Sequence, residues 1–403
     1  MTRDSWAPVD GVLDEALSAA VTPAAVLLVA RDEEILLERS RGRMGLGEAA
    51  GDDTATSTAT VFDLASLTKP LVTVPCLLVL MARGQLSLED RVADYLEAFA
   101  TGSHSPRWDR GSVRVRDLLS HSSGLPDWRP YYLEIELGTR GASACVVDPQ
   151  ARARVIRAVT AEPLVYQPGT RSLYSDLGFI LLGRIVELVT GQSLEAFARD
   201  TLFEPLGFEA TGFVPSSRAD QPPAAPTVGD VAPCGLCPWR GMVVRGQVQD
   251  ENAWAMGGVA GHAGLFSVAR EVHLLVLEHL RALRGKSAIL EGEFVELAWR
   301  RRRDDPRRTW ALGWDTPSAQ GSTGGGLISR DSVGHLGYTG CSLWVDRARG
   351  VHVVLLTNRV HPHPKNRAIA RLRPLLHDAV FGVIDAAVGR GEPYARAGET
   401  TRV

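Results

Sequence analysis

Ser66 and Lys69 stand three residues apart in "DLASLTKPLVT", Asp63 to Thr73, and this pair could do chemistry. Lys69 is one of only three lysines in a chain with 44 Lys plus Arg, and neither Lys286 nor Lys365 follows a serine at that spacing. At the start of a helix, residues i and i+3 lie on one face, so an amine there reaches a hydroxyl. A serine hydroxyl is a poor nucleophile until a base takes its proton. A lysine can be that base once neutral, and burial pushes its amine toward the neutral form. Arginine keeps its proton and cannot replace it. A helix N-terminus would also offer N–H groups to an oxyanion forming on an attacked carbonyl. The alternative serine-hydrolase signature Gly-x-Ser-x-Gly is absent from the chain.

Two further segments carry candidate chemistry. Tyr174 in "LYSDLGF" precedes an apolar helix and could relay a proton. It could equally be a half-buried packing tyrosine, with Ser175 or Asp176 capping the helix. In "GHLGYTGCSLWVD", His335, Leu336 and Gly337 lead into a strand, where glycines would let a substrate backbone approach closely. A histidine in that setting could also be purely structural.

The elements that must position these residues are legible in outline. "AAVLLVARDEEILLERSRG" reads as two strands around a charged turn from Arg31 to Glu33, and "CSLWVD" and "VHVVLLTN" flank the turn "RARG". Leu71 to Ala82 reads as an apolar helix that Pro75 should kink. In "YSDLGFILLGRIVELVTG" the apolar residues keep helical spacing and Gly191 supplies the stop. A loose Gly/Thr/Ala stretch runs from Gly42 to Thr60, a Pro/Ala/Ser-rich connector from Val214 to Pro233, and an amphipathic helix from Asn366 to Val388. Strands at both chain ends with helices between predict an α+β protein. Residues 1–75 and 235–403 would form a lobe with an antiparallel sheet flanked by helices. Residues 76–234 would form an inserted, mostly helical lobe, with the active site at the boundary.

Composition narrows the partners. A formal net charge of −3 gives no reason to expect nucleic acid, and 45% apolar with 23% charged residues is ordinary for a globular protein. The basic run Arg300 to Arg303 is followed by Asp304 and Asp305, so it reads as a self-neutralised loop. No apolar stretch reaches the roughly 20 residues that span a bilayer, and no signal-like start is present, which predicts a cytoplasmic location. Five scattered cysteines do not resemble a disulfide framework. Cys234 with Cys237, and His361 with His363, lack the further ligands of a zinc site, so neither a metal nor a cofactor is expected.

Taken together, these segments resemble the serine β-lactamase and penicillin-recognising superfamily, in the branch holding class C β-lactamases, DD-peptidases and family VIII carboxylesterases. Ser66 to Lys69 resembles its Ser-x-x-Lys box, Tyr174 to Asp176 its Tyr-x-Asn box, and His335 to Gly337 its Lys-Thr-Gly box. "DLLSHSSGLP" from Asp117, "FEPLGF" from Phe203, "DENAWAMGGVAGHAGLFS" from Asp250 and "VVLLTNRVHP" from Val353 also look similar, so the likeness spans about residues 10 to 390. It implies a β-lactamase/transpeptidase-like fold and an acyl-enzyme on Ser66, with Lys69 as proton acceptor. Tyr174 would shuttle the proton to the leaving group and help activate water for deacylation. The N–H groups of Ser66 and Tyr338 would form the oxyanion hole, and His335 would face substrate, bonding a carboxylate or tuning Tyr174. His121 and His262 would be structural.

Two departures shape the expected specificity. Asp176 replaces an amide that binds the acylamino group of β-lactams, and an ionised carboxylate only accepts hydrogen bonds and repels anions. His335 replaces a permanent cation. The expectation is therefore a serine hydrolase of carboxylesterase type acting on a small-molecule ester or related acyl compound. The rivals are a β-lactamase or D-alanyl-D-alanine carboxypeptidase, an acyltransferase, and a non-catalytic acyl-ligand binder. The natural substrate, the acyl acceptor and the oligomeric state are left open.

Overall fold

A computed structural model describes residues 3–45, 53–101, 108–140, 143–146, 148–215, 231–301 and 308–389 of the 403-residue chain. Most of the Val214–Pro233 connector, the middle of the Gly42–Thr60 stretch and most of the basic run after Arg301 lie outside the described residues.

Ala24–Arg31 is an unbroken run of apolar residues ending in arginine, as expected of a strand covered on both faces. Its residues alternate between two cores. Val26 and Leu28 enter one, and Leu27 and Val29 enter the other. The strand sits inside a five-stranded sheet ordered Val333–Leu336, Ser342–Asp346, Val351–Thr357, Ala24–Arg31, Glu34–Gly42, with every neighbouring pair antiparallel. Both hairpins expected from the sequence are present, and strands from the two chain ends pair in register, Val26 opposite Leu356.

The helices Ala7–Ser18 and Ile369–Val388 cover one face of this sheet through Val9, Leu13, Leu372 and Leu376. On the other face, Ala269–Leu283 and the helical run through Val74–Ala82 share one continuous core with Asp176–Thr190 of the mostly helical middle region. A smaller sheet sets the middle strand Leu265–Ser267 between Phe62–Asp63 and Gly212–Phe213. The helical stretch Ala65–Ala82 is apolar enough to resemble a membrane span, yet 89% of it is buried within the fold, which makes it a core helix.

Pro75 does not break a continuous α-helix. Residues Lys69–Thr73 form a wide π turn in which the Val74 N–H reaches back to the Lys69 carbonyl, and the α-helix restarts at Val74. Pro75 then occupies the helix's first turn, where a missing N–H costs nothing. The lysine therefore sits in a widened turn rather than a regular helix.

Candidate active site

The path to Ser66 begins at Asp63, whose buried carboxylate accepts the Ala65 N–H at 2.8 Å and the Gln249 N–H at 2.6 Å. Burial pushes this carboxyl up to about 6 against the help of those two hydrogen bonds. The next residue but one, Ala65, has φ of +48°, a left-handed conformation rare for a side chain bearing a Cβ. That sharp turn presents Ser66 at the start of the short 3₁₀ turn Ala65–Leu67. Thr68 closes the turn by donating to the Ala65 carbonyl at 2.6 Å. Such strain at a solvent-facing serine is a common mark of a functional position.

Lys69 is fully buried, with Nζ 2.8 Å from Ser66 Oγ, 2.7 Å from Tyr174 Oη and 3.1 Å from the His262 carbonyl. Asp176 Oδ1 lies 2.7 Å away as an ion-pair partner, although its angle is not that of a hydrogen bond. Four oxygens thus surround an ammonium with three donors. The sequence-based expectation that burial leaves this amine neutral is incomplete. Burial does oppose the charge most strongly, but the Asp176 carboxylate and the Tyr174 oxygen together outweigh it and hold the amine above the usual lysine range. Asp176, expected to meet substrate, is turned instead toward Lys69, while still bordering the cavity.

Tyr174 is placed by the entrance to the Asp176–Thr190 helix. Ser175 is its N-cap, accepting from the Gly178 N–H at 3.4 Å and donating to the Pro126 carbonyl at 2.6 Å. The Ser175 N–H donates to His121 Nδ1 at 3.0 Å, and burial keeps His121 well below its ordinary pKa, hence neutral. The Tyr174 ring packs against His121, Trp310 and His335, with centroids 4.7, 5.2 and 5.9 Å away. Burial raises the phenol above its usual range, and nearby Lys69 opposes that.

The third segment closes the site. His335 ends up buried and neutral, pushed down to about 3 by burial and by the Lys69 charge. Its Nδ1–H donates to the Leu336 carbonyl at 2.9 Å, so it offers no cation to a carboxylate. Gly337 is needed for a reason internal to the protein. A Cβ there would lie 2.6 Å from the Leu64 carbonyl oxygen, so this strand end touches the turn leading to Ser66. Tyr338 is half exposed, and its carbonyl accepts from Arg359 at 2.6 and 2.9 Å.

Ser66, Tyr174, Asp176, His335, Gly337 and Tyr338 line one cavity of about 760 Å³. Asp250, Glu251, Trp310, Arg359 and Arg373 also line it, and sequence reasoning had singled out none of them. His262, read as structural, contributes its carbonyl to Lys69 while its Nε2 lies 3.0 Å from Asp250 Oδ1. A larger cavity of about 1460 Å³, bordered by Trp299, Arg301 and Arg347, contains none of the candidate residues. Cys234 and Cys237 are buried free thiols, and among the described residues no three His, Cys, Asp or Glu side chains converge as metal ligands would.

The family model described as Beta-lactamase matches residues 9–377. A protein of Escherichia coli strain K12 named putative D-alanyl-D-alanine carboxypeptidase is 32% identical over 351 residues, covering 84% of this chain and 79% of the relative. One of the same name from Salmonella schwarzengrund is 30% identical over 396 residues, covering 94% and 89%. Among solved structures, EstCE1, a hydrolase with promiscuous acyltransferase activity, superimposes with a TM-score of 0.72 at 22% identity, covering 94% of this chain and 99% of that one. A simvastatin synthase mutant from Aspergillus terreus gives 0.68 at 19% identity, covering 94% and 98%. These two likenesses carry the fold, which is β-lactamase/transpeptidase-like.

Proposed function

Since this chain belongs to the serine-hydrolase-type beta-lactamase family, we propose that it hydrolyses a small ester or related acyl compound through an acyl-enzyme on Ser66. The observation that carries this reading is the contact set Ser66 Oγ–Lys69 Nζ–Tyr174 Oη, at 2.8 and 2.7 Å, opening on the cavity. Lys69, once it gives up its proton, accepts that of Ser66 as the oxygen attacks the acyl carbon. Tyr174 passes the proton to the leaving group and then assists the attack of water on the ester. The Ser66 and Tyr338 N–H groups, for which no protein acceptor is found among the described residues, would hold the oxyanion.

The preference for an ester without an anionic group rests on the neutral His335 and on the Asp176, Asp250 and Glu251 carboxylates bordering the cavity. Among the described residues lining the cavity, the two arginines, Arg359 and Arg373, are engaged by backbone carbonyls rather than free for a β-lactam or peptide carboxylate. A second reading, D-alanyl-D-alanine carboxypeptidase, is favoured by the names of the Escherichia coli and Salmonella relatives. Turnover of short-chain p-nitrophenyl esters, nitrocefin and a D-alanyl-D-alanine peptide should be compared, with intact-mass detection of an adduct on Ser66. Ester turnover through that adduct is expected. D-alanyl-D-alanine peptide turnover without ester cleavage supports the second reading over the first, and nitrocefin turnover without ester cleavage overturns the first.

A further inference from the structure

Arg373 is 7% exposed and packs against the turn that follows His335. Its Nη2 donates to the Gly337 carbonyl at 2.7 Å and to the Cys341 carbonyl at 2.8 Å, and its Nε donates to the Gly340 carbonyl at 3.2 Å. The Gly337 N–H itself closes onto the Cys341 carbonyl at 2.7 Å, so one side chain gathers three carbonyls of a single tight turn.

The Gly337 carbonyl and the Tyr338 N–H belong to the same peptide unit, which is trans and planar, so the two groups point in opposite directions. Holding the carbonyl on one side therefore fixes the N–H on the other, at a strand end that packs on the Leu64 carbonyl in the turn leading to Ser66. A cation on the carbonyl oxygen also draws electron density along the unit and makes that N–H a stronger donor.

The charge itself needs a reason. Among the described residues the ionisable groups that interact with Arg373 are Cys341, Arg359, His335 and His377, and no carboxylate forms an ion pair with it. Burial, helped by the neighbouring Arg359 charge, lowers its affinity for the proton, to about 10. A buried cation without an anionic partner is costly unless a negative charge forms nearby. An oxyanion on the substrate, held by the Tyr338 N–H, is such a charge.

We propose that Arg373 is a positioning residue for the oxyanion hole, fixing the Gly337–Tyr338 peptide unit and adding positive potential where the oxyanion forms. This rests on the reading of Ser66 as the acylated oxygen and of the Tyr338 N–H as oxyanion donor. Arg373 touches the peptide unit and acts through it.

The test compares R373M and R373K with the parent enzyme on p-nitrophenyl butyrate and on its thiono analogue. Sulfur is a large, weak acceptor, so little of the hole's contribution reaches the thionoester. For R373M we expect kcat on the oxoester to fall about 10- to 100-fold with KM unchanged, and on the thionoester by less than about threefold. R373K keeps the charge but not the fork, and should fall between. Equal losses on both esters would mean a merely structural brace and would overturn the proposal, as would a folded R373M with full oxoester activity. If R373M does not fold, R373K is judged by the same ratio. Absence of any fluorophosphonate adduct on Ser66 of the parent enzyme sinks the function reading, and this proposal with it. An adduct on Ser66 together with an unchanged ester ratio sinks this proposal alone.

Discussion

Lys69 Nζ lies 2.7 Å from Asp176 Oδ1, with the ammonium fully buried and the carboxylate largely so. Ser66 can be activated only by an amine that has lost its proton, yet its neighbour is held charged by this contact. Under the proposed mechanism the pair sets a pH threshold on the chemistry. Activity should rise with pH as Lys69 deprotonates, and Asp176 should determine where that rise begins.

Replacing Asp176 with Asn removes the anion while preserving side-chain shape. The sign follows from the ion pair: without its partner, the amine loses its proton more readily, because burial then acts with less opposition. The acid limb of the kcat/KM profile should move to lower pH in D176N. A profile that stays in place would show that the limb does not report Lys69, or that Asp176 does not hold its proton.

Ser66→Ala should abolish turnover and any covalent adduct, and Lys69→Arg should cost about 10³-fold or more in kcat although it preserves the charge. Arginine can pair with Asp176 but cannot surrender a proton at accessible pH. Steady-state kinetics on p-nitrophenyl esters check both. An active K69R enzyme would remove Lys69 from the role of proton acceptor.

Tyr174→Phe leaves the packing against His121 and Trp310 intact, since only the hydroxyl is lost. Under the proposed mechanism, where the hydroxyl relays the proton in both directions, both acylation and deacylation should slow, each by about 10²- to 10⁴-fold. Burst kinetics separate the two steps. A deficit confined to one step would confine Tyr174 to that step.

Much of this site was legible in the sequence, for physical reasons. Ser66 and Lys69 meet because a spacing of three residues works locally, here from the 3₁₀ turn Ala65–Leu67 to the first residue of the widened turn. The hairpins announced themselves by apolar runs around polar turns. The charge of Lys69 was not legible, because its controlling partner arrives through the packing of the Asp176–Thr190 helix against the Lys69 turn. Arg373 was equally hidden: on an amphipathic helix an arginine reads as a solvated side chain, and only the fold shows it turned inward against three carbonyls. Gly337 was read as making room for substrate, and nothing in the sequence signalled that it must also accommodate the Leu64 carbonyl.

Asp63 gives a prediction about stability rather than rate. Its carboxyl is fully buried and titrates at about 6 in the folded protein, against an ordinary value of 3.8. The folded state therefore binds this proton more tightly than the unfolded chain does. Below pH 3.8 both states are protonated, and as pH rises from there to about 6 the folded state loses stability relative to the unfolded one. The full loss is about 3 kcal/mol, and it persists above that window. In Asp63→Asn the amide cannot ionise, but its single oxygen cannot accept both the Ala65 and Gln249 N–H groups as the carboxylate does. That substitution should lower stability by a roughly constant amount while abolishing the pH-dependent part. Urea unfolding of both proteins between pH 4 and pH 7 should show the gap between them narrowing as pH rises. A gap that is constant across that range would mean that the Asp63 carboxyl titrates alike in the folded and unfolded chains, and that the turn presenting Ser66 is not built on a strained carboxylate.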